Sequence, residues 1–382
     1  MNRAITQILY EVAEIIMGQS PESESYNDKG DGIPFYQGKS DFGEVYPTVR
    51  MYCTSPKKIA MANDILMSVR APIGDVNIAR EKCCIGRGLA AIRPRGENNL
   101  KYLFYLLDYY KERLAEQGTG STFKAVGKDI LKEFKIPVWN LEKQQMIADI
   151  VDEIQQLIFI RREALSVLDE LVKSRFIEMF GDPVRNPMNW EKGLLKDITS
   201  KIGSGATPKG GNASYKNEGI SLIRSMNVHN GYFDYKGLAY IDGEQAALLD
   251  NVNIESKDVL LNITGASVAR CCVVPDDILP ARVNQHVCIL RCKDDILPMF
   301  LNAVLISDQY QAKLWNIAEA GATRQALSKE KIETFQIILP PISLQKQFAN
   351  FVDLIDKSKL SIQQSIENLQ TLKAKLMQEY FG

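Results

Sequence analysis

The sequence predicts an α+β protein in which two copies of a mixed α/β domain are separated by two long helices. The helices are expected to pair as an antiparallel coiled coil with pseudo-two-fold symmetry. Three observations predict this fold: one stretch ending in Phe-Gly occurs twice, the same motifs precede each copy, and the stretch keeps a helical apolar period. The expected boundaries are 1–140 and 182–340 for the domains, and 141–181 and 341–382 for the helices.

The repeated stretch runs from Glu142 to Phe180 and again from Ser343 to Phe381, at a constant offset of 201 residues. Neither copy contains Gly or Pro, and each is followed by Gly, the residue most common just after a helix C-terminus. A helix of this length spans about 58 Å at 1.5 Å per residue. Each copy is therefore expected to form one long helix.

Apolar residues spaced three and four apart form one stripe along each predicted helix. The charged exceptions are Arg161 and Arg175 in the first stripe and Lys359 and Lys373 in the second. Such a stripe is typical of a coiled-coil seam, in which a charged position helps to fix the register. Two helices that lie separately on their own domains would show the same stripe, so this alternative stays open. The apolar seam residues are Ile147, Val151, Ile154, Ile158, Leu165, Leu168, Val172 and Met179 in the first helix, and Phe348, Val352, Ile355, Ile362, Ile366, Leu369, Leu376 and Tyr380 in the second.

The orientation of the helices can be argued from the segment that follows the first one. Pro183 and Pro187 stop the first helix, and the short segment to Trp190 spans at most about 35 Å. In a parallel pair, the second domain would have to reach back about 58 Å before the second helix begins. The sequence therefore favours an antiparallel pair.

The two domains follow one plan but differ in most side chains. Short apolar runs in the first domain predict strands at 33–36, 65–69, 76–79 and 89–92, and a helical period predicts a helix over 99–117. Two copies of one fold are therefore expected to carry different surfaces. The matching segments are Gly18-Gln19-Ser20-Pro21 with Gly205-Ala206-Thr207-Pro208, 64–66 with 258–260, 85–93 with 283–291, and 99–117 with 297–318.

Composition excludes several classes of protein. The 382 residues carry a net charge of −1, contain no stretch of eighteen apolar residues, and begin without a signal-peptide pattern, so we expect a soluble cytoplasmic protein with no membrane partner. The seven cysteines include no CxxC pair and are expected to be buried, reduced thiols rather than metal ligands. No cofactor is expected. His229 and His286 are the only histidines, and His286 is expected to be packed or hydrogen-bonded rather than catalytic.

The order of these motifs resembles the specificity subunit of a type I restriction–modification system, and the resemblance covers essentially the whole chain. Each domain opens near G-x-(S/T)-P, closes with G-x-T…A…K…F-x-I, and precedes a shared long helix. The resemblance implies that the domains are target recognition domains, each of which reads half of a split, asymmetric site in double-stranded DNA. It also implies that the helices act as a ruler and as the docking surface for two methyltransferase subunits, which motor–nuclease subunits join. The closing motif consists of Gly120, Thr122, Ala125, Lys128, Phe134 and Ile136, and of Gly321, Thr323, Ala326, Lys329, Phe335 and Ile337.

Candidate DNA-binding residues follow from local charge and from side-chain geometry. Between Arg50 and Arg95, nine basic residues and three acidic ones give a net charge of +6, as phosphate neutralisation requires, although a solvated strand face would show the same charge. Amide and guanidinium side chains can also form paired hydrogen bonds with base edges. The candidates are Lys39, Arg70, Arg87 and Lys124 in the first domain, and Arg224, Asn227, Asn284, Gln285, Arg324 and Gln325 in the second.

The sequence favours a binding protein over an enzyme. Amino-methyltransferases use an (Asn/Asp)-Pro-Pro-(Tyr/Phe) loop, and the nearest string, 339–342, lacks both its polar and its aromatic end. We therefore expect a non-catalytic DNA-specificity subunit. The alternative that remains is a coiled-coil scaffold that holds protein partners without reading DNA.

Overall fold

Each of two structural units combines one mixed domain with one half of each long helix. The computed structural model describes residues 3–120, 124–208, 210–319 and 325–382. Unit 1 consists of Met1–Arg162 and Gln363–Gly382, and unit 2 of Glu163–Ile362. Both unit boundaries fall inside the long helices, so each unit contains a part of both helices.

Unit 1 contains two larger sheets and short helices that pack on them. Its helices are α1 (Leu9–Val12), α2 (Leu100–Tyr109), α3 (Lys111–Glu116), α4 (Lys128–Glu133) and the start of α5 (Leu141–Phe180). Its strands are β1 (Ile5–Ile8), β2 (Ala13–Met17), β3 (Tyr26–Asn27), β4 (Ile33–Tyr36), β5 (Met51–Cys53), β6 (Ile59–Ala60), β7 (Ile65–Ser68), β8 (Val76–Ile78), β9 (Cys83–Ile85), β10 (Leu89–Pro94) and β11 (Lys135–Val138).

The strand order in unit 1 sets which loops meet. An antiparallel sheet has the order β2-β10-β7-β8, a second sheet has the order β3-β5-β4-β9-β6, and β1 pairs with β11. In the second sheet, β4 and β9 run parallel. The four predicted strands are confirmed as β4, β7, β8 and β10. The helix expected over 99–117 is two helices instead, because Tyr110 leaves helical geometry (φ −87°, ψ 7°) and its hydroxyl donates to the Phe381 carbonyl.

Unit 2 repeats this arrangement. Sheets with the orders β13-β21-β18-β19 and β17-β14-β20 carry its core, and β12 pairs with β22 and β15 with β16. The helix expected over 297–318 is again divided in two, here at Ser307. Its helices are α6 (Leu195–Ile198), α7 (Gly243–Ala247), α8 (Pro298–Ile306), α9 (Asp308–Glu319), α10 (Lys329–Glu333) and the start of α11 (Ile342–Phe381). Its strands are β12 (Lys192–Leu194), β13 (Thr199–Ser204), β14 (Ile220–Ile223), β15 (Val228–His229), β16 (Tyr232–Phe233), β17 (Ala239–Ile241), β18 (Val259–Asn262), β19 (Cys271–Val273), β20 (Ala281–Val283), β21 (Val287–Cys292) and β22 (Gln336–Ile338).

A repeated buried glutamine ties each long helix to its domain. Gln144 is 2% exposed, accepts from Asn99 N at 2.8 Å and donates to Trp139 O at 2.7 Å. Gln345, at the same repeat position, is fully buried and accepts from Leu297 N at 2.9 Å. A buried amide with both ends satisfied is well suited to orient a helix on a domain, because turning the helix would leave polar groups unpaired.

The long helices pair with opposite directions inside each unit. In unit 1, Arg161 near the middle of α5 donates to Ser365 of α11 at 2.7 Å, and Met377 joins the core that holds Ile147. In unit 2, the Phe176 ring near the end of α5 lies 5.6 Å from the Phe348 ring near the start of α11. Within each unit the two helix segments therefore contact each other and run in opposite directions, which disfavours two helices that lie only on their own domains.

The predicted seam matches the pattern of burial along both helices. All ten positions of each stripe are buried or half-buried, including the four charged ones, and most residues between them are exposed. Two of the charged seam residues have acidic partners inside unit 2, where Lys359 pairs with Asp169 and Arg175 with Glu178. The predicted seam positions are therefore shielded from solvent along both helices.

The cysteines are free thiols in the interior. Six of the seven are buried and Cys292 is half-buried. Burial raises the pKa of Cys83 and of Cys288 to about 12, which keeps these thiols protonated and unreactive at neutral pH. The burial expected for the cysteines is confirmed for six of the seven. Within the described ranges, no helix is long and apolar enough to cross a lipid bilayer.

Candidate nucleic-acid interface

The G-x-(S/T)-P motif packs its glycine against the backbone at the end of a strand, β9 in unit 1 and β20 in unit 2. A Cβ on Gly18 would lie 2.1 Å from the Gly86 carbonyl oxygen, and one on Gly205 would lie 1.8 Å from that of Val283. Real Cβ atoms do not approach oxygen so closely, so only glycine fits at this position. The close approach brings the Ser or Thr that follows two residues later to the turn beside the strand end.

The hydroxyl of the motif meets the same turn in both domains. Arg87 N donates to Ser20 Oγ at 3.3 Å in unit 1, and Thr207 Oγ1 donates to Gln285 Oε1 in unit 2. Arg87 follows β9 and Gln285 follows β20, and each of these strands pairs in parallel with one neighbour, β4 in unit 1 and β14 in unit 2. Two residues picked out for their ability to bind DNA thus occupy one structural position.

Backbone hydrogen bonds join three segments of unit 1 at this turn. Val69 N donates to Gly88 O at 2.9 Å, and Val126 N donates to Val69 O at 2.9 Å. Arg70 forms an antiparallel bridge with Ala125. Three of the predicted side chains, those of Arg70, Arg87 and Lys124, therefore come from neighbouring segments, although 54 residues of sequence separate the first from the last.

The same three segments meet in unit 2. Ile263 N donates to His286 O at 3.0 Å, and Leu327 N donates to Ile263 O at 2.9 Å. Thr264 forms the antiparallel bridge with Ala326 that Arg70 forms with Ala125. Thr264, Gln285 and Gln325 therefore lie where Arg70, Arg87 and Lys124 lie in unit 1. We call each of these arrangements the three-segment site of its domain.

The three-segment site of unit 1 is cationic. Arg70, Arg87 and Lys124 are all exposed, and none of them forms an ion pair with a described residue. Lys39 differs, because its ammonium group lies 3.0 Å from the Asp75 carboxylate. Three unpaired cations on adjacent segments form a surface that suits phosphate or a guanine edge.

The basic segment of 50–95 is not one continuous cationic face. Arg50 pairs with Asp41 at 3.6 Å, and Lys57 pairs with Glu22. The guanidinium of Arg95 stacks on Tyr10 with its carbon 4.6 Å from the ring centre. The net charge of +6 counted along the sequence therefore overstates the positive charge on the surface, because acidic residues outside the segment neutralise part of it.

The three-segment site of unit 2 is neutral and rich in amide and hydroxyl groups. Gln285 is exposed, and Gln325 is half-buried with its amide 3.3 Å from a Glu319 carboxylate oxygen. His286 places Nδ1 2.6 Å from Thr264 Oγ1, as expected for a hydrogen-bonded histidine. Thr264 and His286 were not among the predicted DNA-binding residues. If 258–260 is aligned with 64–66, Thr264 falls opposite Arg70, so the internal repeat of the sequence was sufficient to identify Thr264 as a candidate.

Three other predicted residues in the second domain have internal partners. Asn227 is fully buried and donates to Asp234 O at 2.9 Å, and Asn284 is 5% exposed and accepts from His286 N at 3.0 Å. The guanidinium of Arg224 donates to the Gly237 carbonyl. Because these groups hold turns of the domain itself, we leave them out of the proposed interface. Arg324, Thr122, Gly321 and Thr323 lie outside the described residues.

Known proteins match this chain along most of its length. The profile of the type I restriction modification DNA specificity domain matches residues 7–169 and 187–371. The MjaIX specificity subunit of a type I restriction enzyme from Methanocaldococcus jannaschii is 24% identical over 411 residues, covering 96% of this chain and 90% of that protein. The EcoBI specificity subunit of Escherichia coli is 22% identical over 404 residues, covering 94% and 80%.

A nearer match in sequence covers less. A Methanocaldococcus jannaschii protein, provisionally named the MjaX specificity subunit, is 47% identical over 161 residues, but this match spans 42% of the present chain and only 38% of that protein. Among solved structures, the S subunit of a type I system from M. genitalium matches with a TM-score of 0.60 at 16% identity, covering 100% of this chain and 97% of that one. At such identity the likeness concerns the fold alone.

Two separate matches to one domain profile thus include the G-x-(S/T)-P turn of each unit and all three segments of each three-segment site. Together the matched residues make up well over half of the chain. The chain therefore belongs to the family of type I restriction modification DNA specificity domains, and it contains two copies of that domain.

Proposed function

We propose that this chain is the DNA sequence-specificity subunit of a type I restriction–modification complex, and that each domain reads one half of a bipartite, asymmetric DNA site. One observation carries the proposal. The same three-segment backbone site occurs in both domains, yet it holds two arginines and a lysine in one and a threonine and two glutamines in the other. A shared frame with different polar side chains is what two readers of different sequences require.

The side chains of each site suit a different task. Arginine and lysine donate to guanine O6 and N7 or to phosphate oxygens, whereas glutamine pairs with the N6 and N7 edge of adenine. We infer that Arg70, Arg87 and Lys124 supply affinity and contacts to guanine or phosphate in one half-site. Gln285 and Gln325 would contribute direct reading of bases in the other.

Protein partners are proposed on the long helices. Phe159 and Leu360 share one repeat position and are 50% and 70% exposed, and Leu171 and Leu372 share another and are 44% and 46% exposed. Exposed apolar side chains at repeated positions suit two copies of one partner. We infer that two methyltransferase subunits dock there and that motor–nuclease subunits join them. Methyl transfer and DNA cleavage would then belong to the partners.

The proposal is tested by expressing the chain together with the methyltransferase of its own system and mapping methylated adenines across the host genome. The expected result is one asymmetric motif with two specific parts and a non-specific gap of constant length. A strain with the methyltransferase alone is the matched control and should lack this motif. Complex formation without any sequence-dependent methylation would instead support a scaffold that does not read DNA.

A further inference from the structure

Four side chains of unit 2 form a chain of hydrogen bonds across the three-segment site. Thr207 Oγ1 donates to Gln285 Oε1, Gln285 Nε2 lies 3.1 Å from His286 Nε2, and His286 Nδ1 lies 2.6 Å from Thr264 Oγ1. Thr207 and Gln285 are exposed, and His286 and Thr264 are partly buried behind them. The four residues come from three loops, so the tertiary fold brings them together.

With the Gln285 amide placed as in the structure, the chemistry of these groups assigns every proton in the chain. An amide nitrogen can only donate, so His286 Nε2 must accept from Gln285. A neutral imidazole that accepts at Nε2 carries its hydrogen on Nδ1, and His286 Nδ1 therefore donates to Thr264 Oγ1. Thr207 donates to the amide oxygen at the other end. In this orientation of the Gln285 amide, every hydrogen bond of the chain has one donor and one acceptor.

That orientation decides what Gln285 presents to a ligand. Among the described residues, its amide bonds only to Thr207 and His286, which use one N–H and one lone pair of the oxygen. One N–H donor and one acceptor lone pair remain. This pair matches the N7 acceptor and N6 donor that adenine displays in the major groove.

We propose that Gln285 reads an adenine in the half-site of the second domain, and that Thr207, His286 and Thr264 are positioning residues that hold its amide in the reading orientation. The inference rests on the proposed function. An amide turned by 180° would exchange its donor and acceptor and no longer match adenine. The turned amide would keep its hydrogen bonds only if His286 moved its hydrogen to Nε2 and both threonine hydroxyls exchanged their donor and acceptor roles, so the amide does not turn independently of these three residues.

The first domain lacks this device at the matching positions. Arg87 stands where Gln285 stands, and Arg70 stands where Thr264 stands. The residue after Arg87 is Gly88, at which a Cβ would lie 2.3 Å from the Gln37 carbonyl oxygen, so no histidine fits there. This arrangement of glutamine, histidine and threonine is therefore specific to the second domain.

The test uses the full chain in complex with its methyltransferase and a pool of DNA duplexes with randomised bases, from which bound duplexes are selected and sequenced. Gln285→Ala should lose the preference for adenine at one position, roughly 5- to 150-fold, and leave the other positions unchanged. His286→Phe and Thr264→Val should relax that same position. Thr264→Ser keeps the hydroxyl and should retain the preference.

His229→Phe is the matched control, since His229 is the other histidine of the unit and its ring stacks on Tyr232 with centroids 4.8 Å apart. It should leave the selected motif unchanged. Selection of no motif by the wild-type complex would contradict the proposed function. A wild-type motif that Gln285→Ala leaves intact would overturn the inference alone. If His286→Phe relaxed the whole half-site with normal thermal stability, His286 would not be a positioning residue of Gln285.

Discussion

Arg93 donates two hydrogen bonds of 2.8 Å to the carboxylate of Asp64, whose side chain is 2% exposed. Arg291 and Asp258 repeat this bidentate pair in unit 2 with the same atoms and the same distances of 2.8 Å. In each unit the aspartate lies just before one strand, β7 or β18, and the arginine lies in the strand that pairs with it, β10 or β21. Arg93 is therefore part of the frame of the domain, although along the sequence it counts towards the basic segment.

Arg93→Leu should destabilise unit 1 by about 3 kcal/mol, because it leaves the buried Asp64 carboxylate without its counter-charge. This is the low end of the usual range, since solvent reaches part of the Arg93 side chain, which is 35% exposed. Chemical denaturation followed by hydrogen exchange of unit 1 amides measures the loss. Arg95→Leu is the control and should cost less than 1 kcal/mol. Equal losses in both variants would show that the pair is not structural.

Replacing Arg70 and Arg87 together by Ala should weaken binding of the complex to all DNA sequences. The slope of log K against log salt should fall by about one for each phosphate contact that is lost. The measurement is a DNA-binding titration at several salt concentrations. Arg95→Ala with Lys132→Ala removes the same charge at the opposite end of β10, where both side chains stack on Tyr10, and should leave the slope unchanged. An identical slope in both double variants would mean that the cationic site does not contact DNA.

Gly205→Ala should disturb the reading of one half-site only. The added methyl group would lie 1.8 Å from the Val283 carbonyl, so the loop that carries Thr207 must move. Mapping of methylated sites should show a relaxed second half-site and an unchanged first one. Gly203→Ala, two residues earlier, meets no atom within 4 Å and should keep the wild-type motif. Loss of both half-sites in Gly205→Ala would contradict independent reading by the two domains.

Lys373→Met should raise the thermal stability of the protein at neutral pH by the order of a few degrees. Burial in the seam lowers the pKa of Lys373 below its ordinary value of 10.5, and the nearby charge of Lys111 lowers it further. The carboxylates of Asp108 and, to a smaller extent, Glu44 partly oppose this shift. The unfolded chain then binds more protons between the two pKa values, so wild-type stability should rise with pH through that window. Melting curves from pH 7 to 10.5 should show this rise in wild type but not in the variant. Lys375→Met, at an exposed position, should change neither.

The sequence alone was sufficient to predict the long helices, their seam and their direction. The offset of 201 residues and the apolar period extend over forty residues of each helix. A helical spacing of apolar residues over this length seldom arises by chance, and it indicates one buried face. The direction came from chain length, because a short linker cannot span a long helix. All twenty seam positions, including Arg161 and Lys373, are buried or half-buried.

Only the tertiary structure decided which single polar side chains face outward. Asn227 and Asn284 have the same chemistry as Gln285, yet the first two satisfy backbone groups of neighbouring turns and Gln285 is exposed. Arg93 resembles Arg87 in sequence but is held by Asp64. The periodicity of a sequence does not show whether a single polar side chain is exposed or bonded internally, because its hydrogen-bond partner lies on a loop that only the tertiary fold brings near. Hydrogen bonding acts over about 3 Å of space rather than along the chain, so it becomes visible only once distant segments are in place.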